Sequence, residues 1–492
     1  MTSIQILLLI AAYFGVLILI SYFTGKDDSN DVFFKAKKQS PWYVVAFGMI
    51  GASLSGVTFI SVPGLIEGQQ FAYMQGVFGF FVGYLVVLLV LLPLYYRLNV
   101  TSIYQYLEQR FGTVSYKTGA FFFLLSRVTG AAFRLFLVAL AMQYIVFETL
   151  GVPFWITVVI SIALIWLYTN RGGIKTIVWT DTLQTLAMLT SVIVAIVLIV
   201  NKLDWSVTDI FNQDAFKAKS KLFFFEDVNS NVYFWKYFIG GIFITIAMTG
   251  LDQDMMQKNL TCKNPQDAKK NMFSMSVLLV FVNVIFLSLG ALLFIYAEQF
   301  GVNIPVVDEK VRTDLLFPEI AMNQGLGLGL QITFLIGLIA AAYSSADSAL
   351  TSLTTSFSID FLNIEKLPEA QQKPLRKKVH IGVSLLLIVV VIVFNELEGS
   401  VVNNLFKFAT FTYGPLLGLF AFGILTKRQI KDNWAWVIGL ASIIITYFIT
   451  ELPANFPDSF IGKYAFHWEI LPLNGLITCI GLWVISRKTK TD

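Results

Sequence analysis

The chain has little of what most catalytic chemistry is built from. Only two histidines, His380 and His467, and two cysteines, Cys262 and Cys479, occur in 492 residues. The cysteines lie far apart, and neither sits in a metal-binding or redox spacing. A zinc hydrolase, a bis-histidine haem protein and a histidine proton wire therefore lack material. Charge is also scarce, with Asp, Glu, Lys and Arg making up 13% of the residues. What fills the chain instead is apolar, at 56%, and aromatic, at 15%. A soluble protein of that composition would aggregate, so the class is an all-α polytopic membrane protein surrounded by lipid. No soluble domain longer than a loop remains between the apolar runs. That excludes a receptor kinase, an ATPase subunit with its own nucleotide site and a channel with a ligand-binding domain; nucleic acid is no expected partner.

Windows of about twenty apolar residues predict thirteen spans. The first six centre on Ile4–Ser21, Trp42–Ile66, Tyr73–Leu98, Phe121–Phe147, Val152–Tyr168 and Ile174–Val200. The other seven centre on Tyr233–Leu251, Asn271–Tyr296, Leu328–Phe361, Val379–Phe394, Val401–Leu425, Trp434–Thr450 and Ile470–Ile485. The first window has no basic segment before it and no small-residue cleavage site, and reads as a retained span rather than a signal peptide. Lys and Arg gather in alternate connections, from Lys26–Lys38 through Lys258–Lys270 to the tail, while the opposite ones are short or acidic, as at Glu67 and Glu396–Glu398. By the positive-inside rule this puts the N-terminus outside and the C-terminus in the cytoplasm of a cell (inner) membrane, which needs an odd number of spans.

Two windows carry helix-weakening residues. Trp42–Ile66 contains Gly48, Gly51, Gly56, Pro63 and Gly64, and Tyr233–Leu251 contains Gly240, Gly241 and Gly250. With the first span set apart, these are the first and sixth of the next ten. Such a pair of interrupted helices points to a transporter made of two inverted repeats. The expected units are residues 1–41, an extra helix and cytoplasmic loop; 42–200, the first repeat; 201–232, an extracellular linker; 233–425, the second repeat; and 426–492, two further helices and a tail.

One stretch stands out chemically. Ala341-Ala342-Tyr343-Ser344-Ser345-Ala346-Asp347-Ser348 places three hydroxyls and a carboxylate inside an apolar span. Ser344 and Ser348 share a face, with Ser345 beside them. Polar groups at that depth usually mark an ion or solute path, and oxygen ligands suit a hard cation. The alternative is that small serines merely let helices approach closely.

The segments between spans carry a resemblance. "YYRLNVTSIYQYLEQRFG" (Tyr95–Gly112), "RGGIKTIVWTDTLQ" (Arg171–Gln184), "TGLDQDMMQKNLTCKNPQDAKK" (Thr249–Lys270), "AAYSSADSALTSL" (Ala341–Leu353) and "FTYGPLLGLFAFGIL" (Phe411–Leu425) occur in order and in register. Together they resemble the sodium/solute symporter family, which includes bacterial proline, galactose and sialic acid carriers. The resemblance implies a five-plus-five inverted-repeat, LeuT-like core with one extra N-terminal and two C-terminal helices. It implies a secondary transporter, not an enzyme, that imports a small organic solute with Na+ as coupling ion by alternating access. It also implies a principal sodium site made by backbone carbonyls at Gly56, Phe59 and Ala341 and the hydroxyls of Ser344 and Ser345. A second sodium site, found in some members, maps onto Asp181 and onto Ser344 and Ser348. Its third hydroxyl is replaced here by Asp347, a second ligand, a protonated neutral acid or a helix-holding group. Asp181 is otherwise an acid near an inner helix end paired with Arg171 or Lys175.

For the solute, Arg127 and Arg134 lie two turns apart on one helix face. Arg127 sits nearer the cytoplasm, within reach of headgroups or acids below; Arg134 is closer to mid-bilayer. A buried guanidinium needs a partner and grips carboxylates with two hydrogen bonds. Sialic acid carriers resemble this chain in using an arginine there, whereas polar positions of galactose carriers read Pro63, Val82 and Leu85. The expectation is a carboxylate-bearing solute held by Arg134, with Thr58 and Thr245 lining its pocket. A salt bridge from Arg134 to another helix, proton coupling, and a neutral sugar or amino acid as cargo are the alternatives. An anionic solute subtracts its own electrical work, which makes a second sodium useful. A monomer is compatible with all of this.

Overall fold

The computed structural model describes residues 3–54, 56–143, 147, 151–307, 310–395, 399–459 and 461–487. The acidic segment 396–398 and the last basic residues of the tail fall outside them. Sixteen helices carry the argument. In the first half they are α1 (Ser3–Thr24), α2 (Asn30–Lys35), α3 (Trp42–Ser53), α4 (Gly56–Gly64), α5 (Tyr73–Leu98), α6 (Thr113–Met142), α7 (Phe154–Thr169) and α8 (Ile174–Lys202). The second half adds α9 (Phe234–Gly250), α10 (Gln253–Leu260), α11 (Pro265–Phe300), α12 (Leu328–Ser356), α13 (Glu369–Asn395), α14 (Gly399–Leu425), α15 (Ala435–Asn455) and α16 (Ile470–Val484). Among the described residues eight helices are long and apolar enough to cross a membrane. Two further pairs qualify as bent spans, and three shorter apolar helices accompany them.

The exposure pattern is that of a lipid-facing bundle. On α8 the large apolar side chains Trp179, Leu186, Ile193 and Val197 are exposed, whereas Asp181, Gln184, Thr185 and Ser191 are buried. Polar groups face in and hydrocarbon faces out, as a membrane requires. At the centre run α11 and α12, the latter buried without interruption from Phe334 to Ser356 except at Ile336. Its alanines and serines take little room, so α8, α6 and α4 close around it.

Both interruptions exist, but the glycines divide the work differently from the expectation. The first bend lies after α3, where Leu54 is extended, and α3 and α4 are inclined by 59°. Gly48 and Gly51 sit inside a regular helix. A Cβ on Gly48 would stand 3.1 Å from Cβ of Asp181, and one on Gly51 would stand 2.2 Å from Oγ1 of Thr185. Their role is to bring α3 against α8, where the Gly51 amide donates to Thr185 Oγ1 at 3.0 Å. In the second span, Gly240 and Gly241 also break nothing. A Cβ on Gly241 would meet the Gly76 carbonyl oxygen at 2.4 Å, so this glycine seats α9 on α5. The helix widens to a π turn at Ile246–Gly250 and bends by 64° before α10. The carbonyls freed there are taken by tyrosine hydroxyls: Tyr95 donates to Gly250 at 2.8 Å and Tyr104 to Leu251 at 3.0 Å. Asp252 then caps α10 by accepting from the amides of Asp254 and Met255. The stretch 253–260, read from sequence as the start of a cytoplasmic connection, is thus a fully buried half-helix.

The closeness of α3 to α8 has a measurable consequence. Gly51→Val forces the helices apart and destabilises the protein by about 1–3 kcal/mol, as overpacking does. Its melting temperature in detergent should fall, while Gly15→Ala, at a position with open space around it, should leave melting unchanged.

Candidate functional site

The serine-rich turn of α12 faces two helices. Ser344 donates to Asp181 Oδ1 on α8 at 2.8 Å. The other carboxylate oxygen, Oδ2, lies 2.8 Å from Nζ of Lys258 on α10, and both side chains are 1% exposed. Gln184, one turn along α8, completes the group: with its amide turned to satisfy its neighbours, it donates to Asp181 Oδ1 and accepts from the Tyr13 hydroxyl, each at 3.2 Å. The alternative reading of Asp181, an acid paired with Arg171 or Lys175, meets a different partner here, Lys258. That lysine, counted from sequence among the loop cations, is inside the protein because α10 itself is buried.

This arrangement fixes the hydroxyls around it. The Ser344 proton is committed to Asp181, which leaves the oxygen lone pairs of Ser344 free to accept. Ser345 and Ser348, each 1% exposed, have hydroxyl oxygens with no hydrogen-bond partner among the described residues. Buried polar groups are nearly always paired, and an orphaned one costs about 1–3 kcal/mol. Such oxygens suit a hard cation that accepts no hydrogen bond and supplies none. The bent span reaches the same part of α12, since α4 packs directly on it. Phe59 stands in an aromatic cluster of Phe286, Phe317 and Phe334. A Cβ on Gly337, one turn before Ala341, would lie 3.1 Å from the Phe59 ring and 2.9 Å from Ser191. Gly56, Phe59, Ala341, Ser344 and Ser345 thus come from two helices in direct contact.

Asp347 points elsewhere. Tyr168 on α7 donates to its Oδ2 at 2.7 Å, and the Ser348 amide donates to its Oδ1 at 2.6 Å. Tyr343, one turn earlier, bonds Ser161 of the same helix at 2.8 Å. Asp347 holds α12 to α7 by hydrogen bonding, and no basic side chain lies within salt-bridge distance of it among the described residues.

The two arginines of α6 differ in their surroundings. Arg127 is buried and ion-paired with Asp254, with Asp252 3.8 Å away, and the Tyr413 hydroxyl bonds Asp252 in turn. The acids below Arg127 are thus found on α10 and the bend before it. Arg134 is half-buried and makes neither an ion pair nor a hydrogen bond with any described residue. Thr58 is half-buried on α4. Thr245 is buried against α5, where a Cβ on Gly83 would come within 2.7 Å of its own Cβ.

Reading from sequence missed Lys258, Tyr168, Gln184 and the Asp252–Asp254–Tyr413 group. The only local cue, acid and lysine four apart at Asp254 and Lys258, would suggest a pair between them; each instead bonds a different helix.

Bent helices meeting around unpartnered hydroxyls in a lipid-facing bundle define the class, an ion-coupled secondary transporter. The sodium:solute symporter family model matches residues 33–433, and the chain belongs to that family. It is 27% identical to the sodium/sialic acid symporter NanT of Aliivibrio fischeri over 88% of this chain and 85% of that one. With the sodium/sialic acid symporter SiaT of Proteus mirabilis it shares 24% identity, over 92% of this chain and 90% of the relative. Its fold matches a Na+-coupled sialic acid symporter solved in a substrate-bound outward-open state, with TM-score 0.82 and 21% identity over 98% and 99% of the two chains. The protein is a multi-pass membrane transporter that couples sodium to the movement of a small organic solute, and its relatives are transporters rather than enzymes.

The buried arginine cluster is testable without knowing the solute. Arg127→Met strands Asp254 and should cost about 3–5 kcal/mol, as loss of one partner of a buried pair does. Adding Asp254→Asn should restore part of the melting temperature; independent, additive losses would contradict the pairing.

Proposed function

We propose that the chain imports a carboxylate-bearing solute of the sialic acid or monocarboxylate type with sodium, by alternating access across a bacterial inner membrane. The observation that carries the carboxylate is the contrast on α6. Arg127 is neutralised by protein acids, whereas Arg134, two turns deeper, keeps a guanidinium that no described residue pairs. A half-buried cation of that kind is complementary to an anionic ligand and binds it through two parallel hydrogen bonds. That two relatives bear sialic acid in their names supports the same class. Thr58, on the bent span, belongs to the pocket in this reading; Thr245, packed against Gly83, lies at its helix interface.

Sodium sits between α4 and α12, bound by the carbonyls at Gly56, Phe59 and Ala341 and the hydroxyls of Ser344 and Ser345. The unpartnered Ser345 oxygen and the proton commitment of Ser344 to Asp181 support this placement. Binding draws the bent span onto α12 and shapes the solute pocket; release to the cytoplasm loosens it. The thirteen spans comprise the eight long helices, the two bent pairs and the three shorter apolar helices. They are arranged as an extra helix, inverted repeats at 42–200 and 233–425, and two closing helices, with the N-terminus outside. One cation crossing 100 mV releases about 2.3 kcal/mol, and a tenfold gradient adds about 1.4 kcal/mol. Together these concentrate a neutral solute roughly 500-fold.

The experiment is uptake into proteoliposomes of sialic acids, monocarboxylates, sugars and amino acids, in sodium and with choline in its place. A carboxylate taken up only with sodium supports the reading; undiminished uptake in choline contradicts it. Sodium at about a hundred times its dissociation constant should stabilise the protein by about 2.7 kcal/mol, and Ser344→Ala with Ser345→Ala should abolish both that gain and sodium-dependent uptake. Arg134→Ala should lose solute binding by about tenfold to a hundredfold, the ~1.5–3 kcal/mol of a charged hydrogen bond, with sodium stabilisation intact. Equal loss of both would count against a carboxylate clamp.

A further inference from the structure

We infer that Lys258 is a tethered cation that fills the place of a second sodium ion at Asp181, so that this carrier binds one sodium ion per cycle. The inference rests on the sodium-symport reading above and concerns its stoichiometry. Asp181 is the only carboxylate on α8, and its charge is met at close range: Oδ2 lies 2.8 Å from the Lys258 ammonium in an ion pair, and Oδ1 accepts from Ser344 at 2.8 Å and Gln184 at 3.2 Å. The site is already charge-balanced. A sodium ion approaching Asp181 would meet a like charge in contact with the oxygen it needs.

Lys258 has little freedom to give way. Every residue of α10 is buried, and its neighbours on that helix are anchored on several sides. Gln257 donates to the Phe34 carbonyl at 2.9 Å and to Thr355 Oγ1 at 3.0 Å. Asn259 accepts from Asn271 at 2.7 Å, and Asp254 is paired with Arg127. Moving the ammonium off Asp181 would leave it 1% exposed with no other anion within salt-bridge distance among the described residues, and a stranded buried charge is strongly unfavourable. Asp347, the other acid near this turn, is directed to Tyr168 and does not take over. What remains open to an external cation is neutral hydroxyl oxygen, at Ser344, Ser345 and Ser348.

The consequence is electrical. One sodium with one monocarboxylate carries no net charge, so accumulation is set by the sodium ratio alone and membrane voltage adds nothing.

The test counts ions without needing the solute. Equilibrium binding of 22Na+ to the purified full-length protein should give one saturable ion per wild-type chain. Lys258→Met should raise this to two, and Lys258→Met with Asp181→Asn should return it to one. Lys258→Gln, which removes the charge but keeps a hydrogen-bond donor for Asp181, should likewise give two; this variant serves if Lys258→Met does not fold. Two ions per wild-type chain, or one ion in a folded Lys258→Met or Lys258→Gln, would each overturn the inference. Absence of any saturable sodium in the wild type would overturn the symport reading beneath it as well.

Discussion

Everything around the serine turn depends on one buried contact, the Asp181 carboxylate held between a hydroxyl and an ammonium. A lone carboxylate at that depth is too costly to keep charged. Lys258 offsets the charge at Oδ2, and Ser344 and Gln184 donate to Oδ1. Because α8, α10 and α12 each contribute one member, the contact sets how these three helices are spaced. It also decides which way the Ser344 proton points, and therefore which oxygen face is left for a cation. A structural ion pair and an ion-binding site are here two sides of one side chain.

The architecture was largely legible in the sequence, because hydropathy windows report burial in lipid directly. Each of the thirteen windows overlaps helix in its described residues, and eight long helices and two bent pairs reach the length and hydropathy of a span. Period and composition served less well at the bends. Glycine is read as a helix breaker, yet Gly48, Gly51 and Gly241 act through the side chain they lack, admitting a neighbouring helix to within van der Waals distance. The breaks fall away from these glycines, at Leu54, three residues after Gly51, and at Leu251–Asp252, about ten after Gly241.

The site was legible only in part, for a related reason. Ser344, Ser345 and Asp181 announce themselves because they are polar in apolar surroundings. Lys258 does not, since Gln253–Leu260 is mostly polar and reads as part of an aqueous loop. What buries it is a set of partners far away in sequence, Asp181 and Arg127, and no window of twenty residues contains both ends of such a pair. Asp347 shows the converse. Its position in the motif left open a cation ligand, a neutral acid or a helix-holding group, and the Tyr168 hydroxyl of α7 is what bonds it.

The polar half-helix α10 also bears on how the protein is made. With Asp254 and Lys258 on one short segment, it has no reason to enter a bilayer on its own, and an insertion machine scanning for greasy stretches would pass it by. Its two ionic partners, on α6 and α8, are synthesised earlier and already wait in the membrane when it emerges from the ribosome. The buried place of this short segment thus exists only against a first half that supplies Arg127 and Asp181.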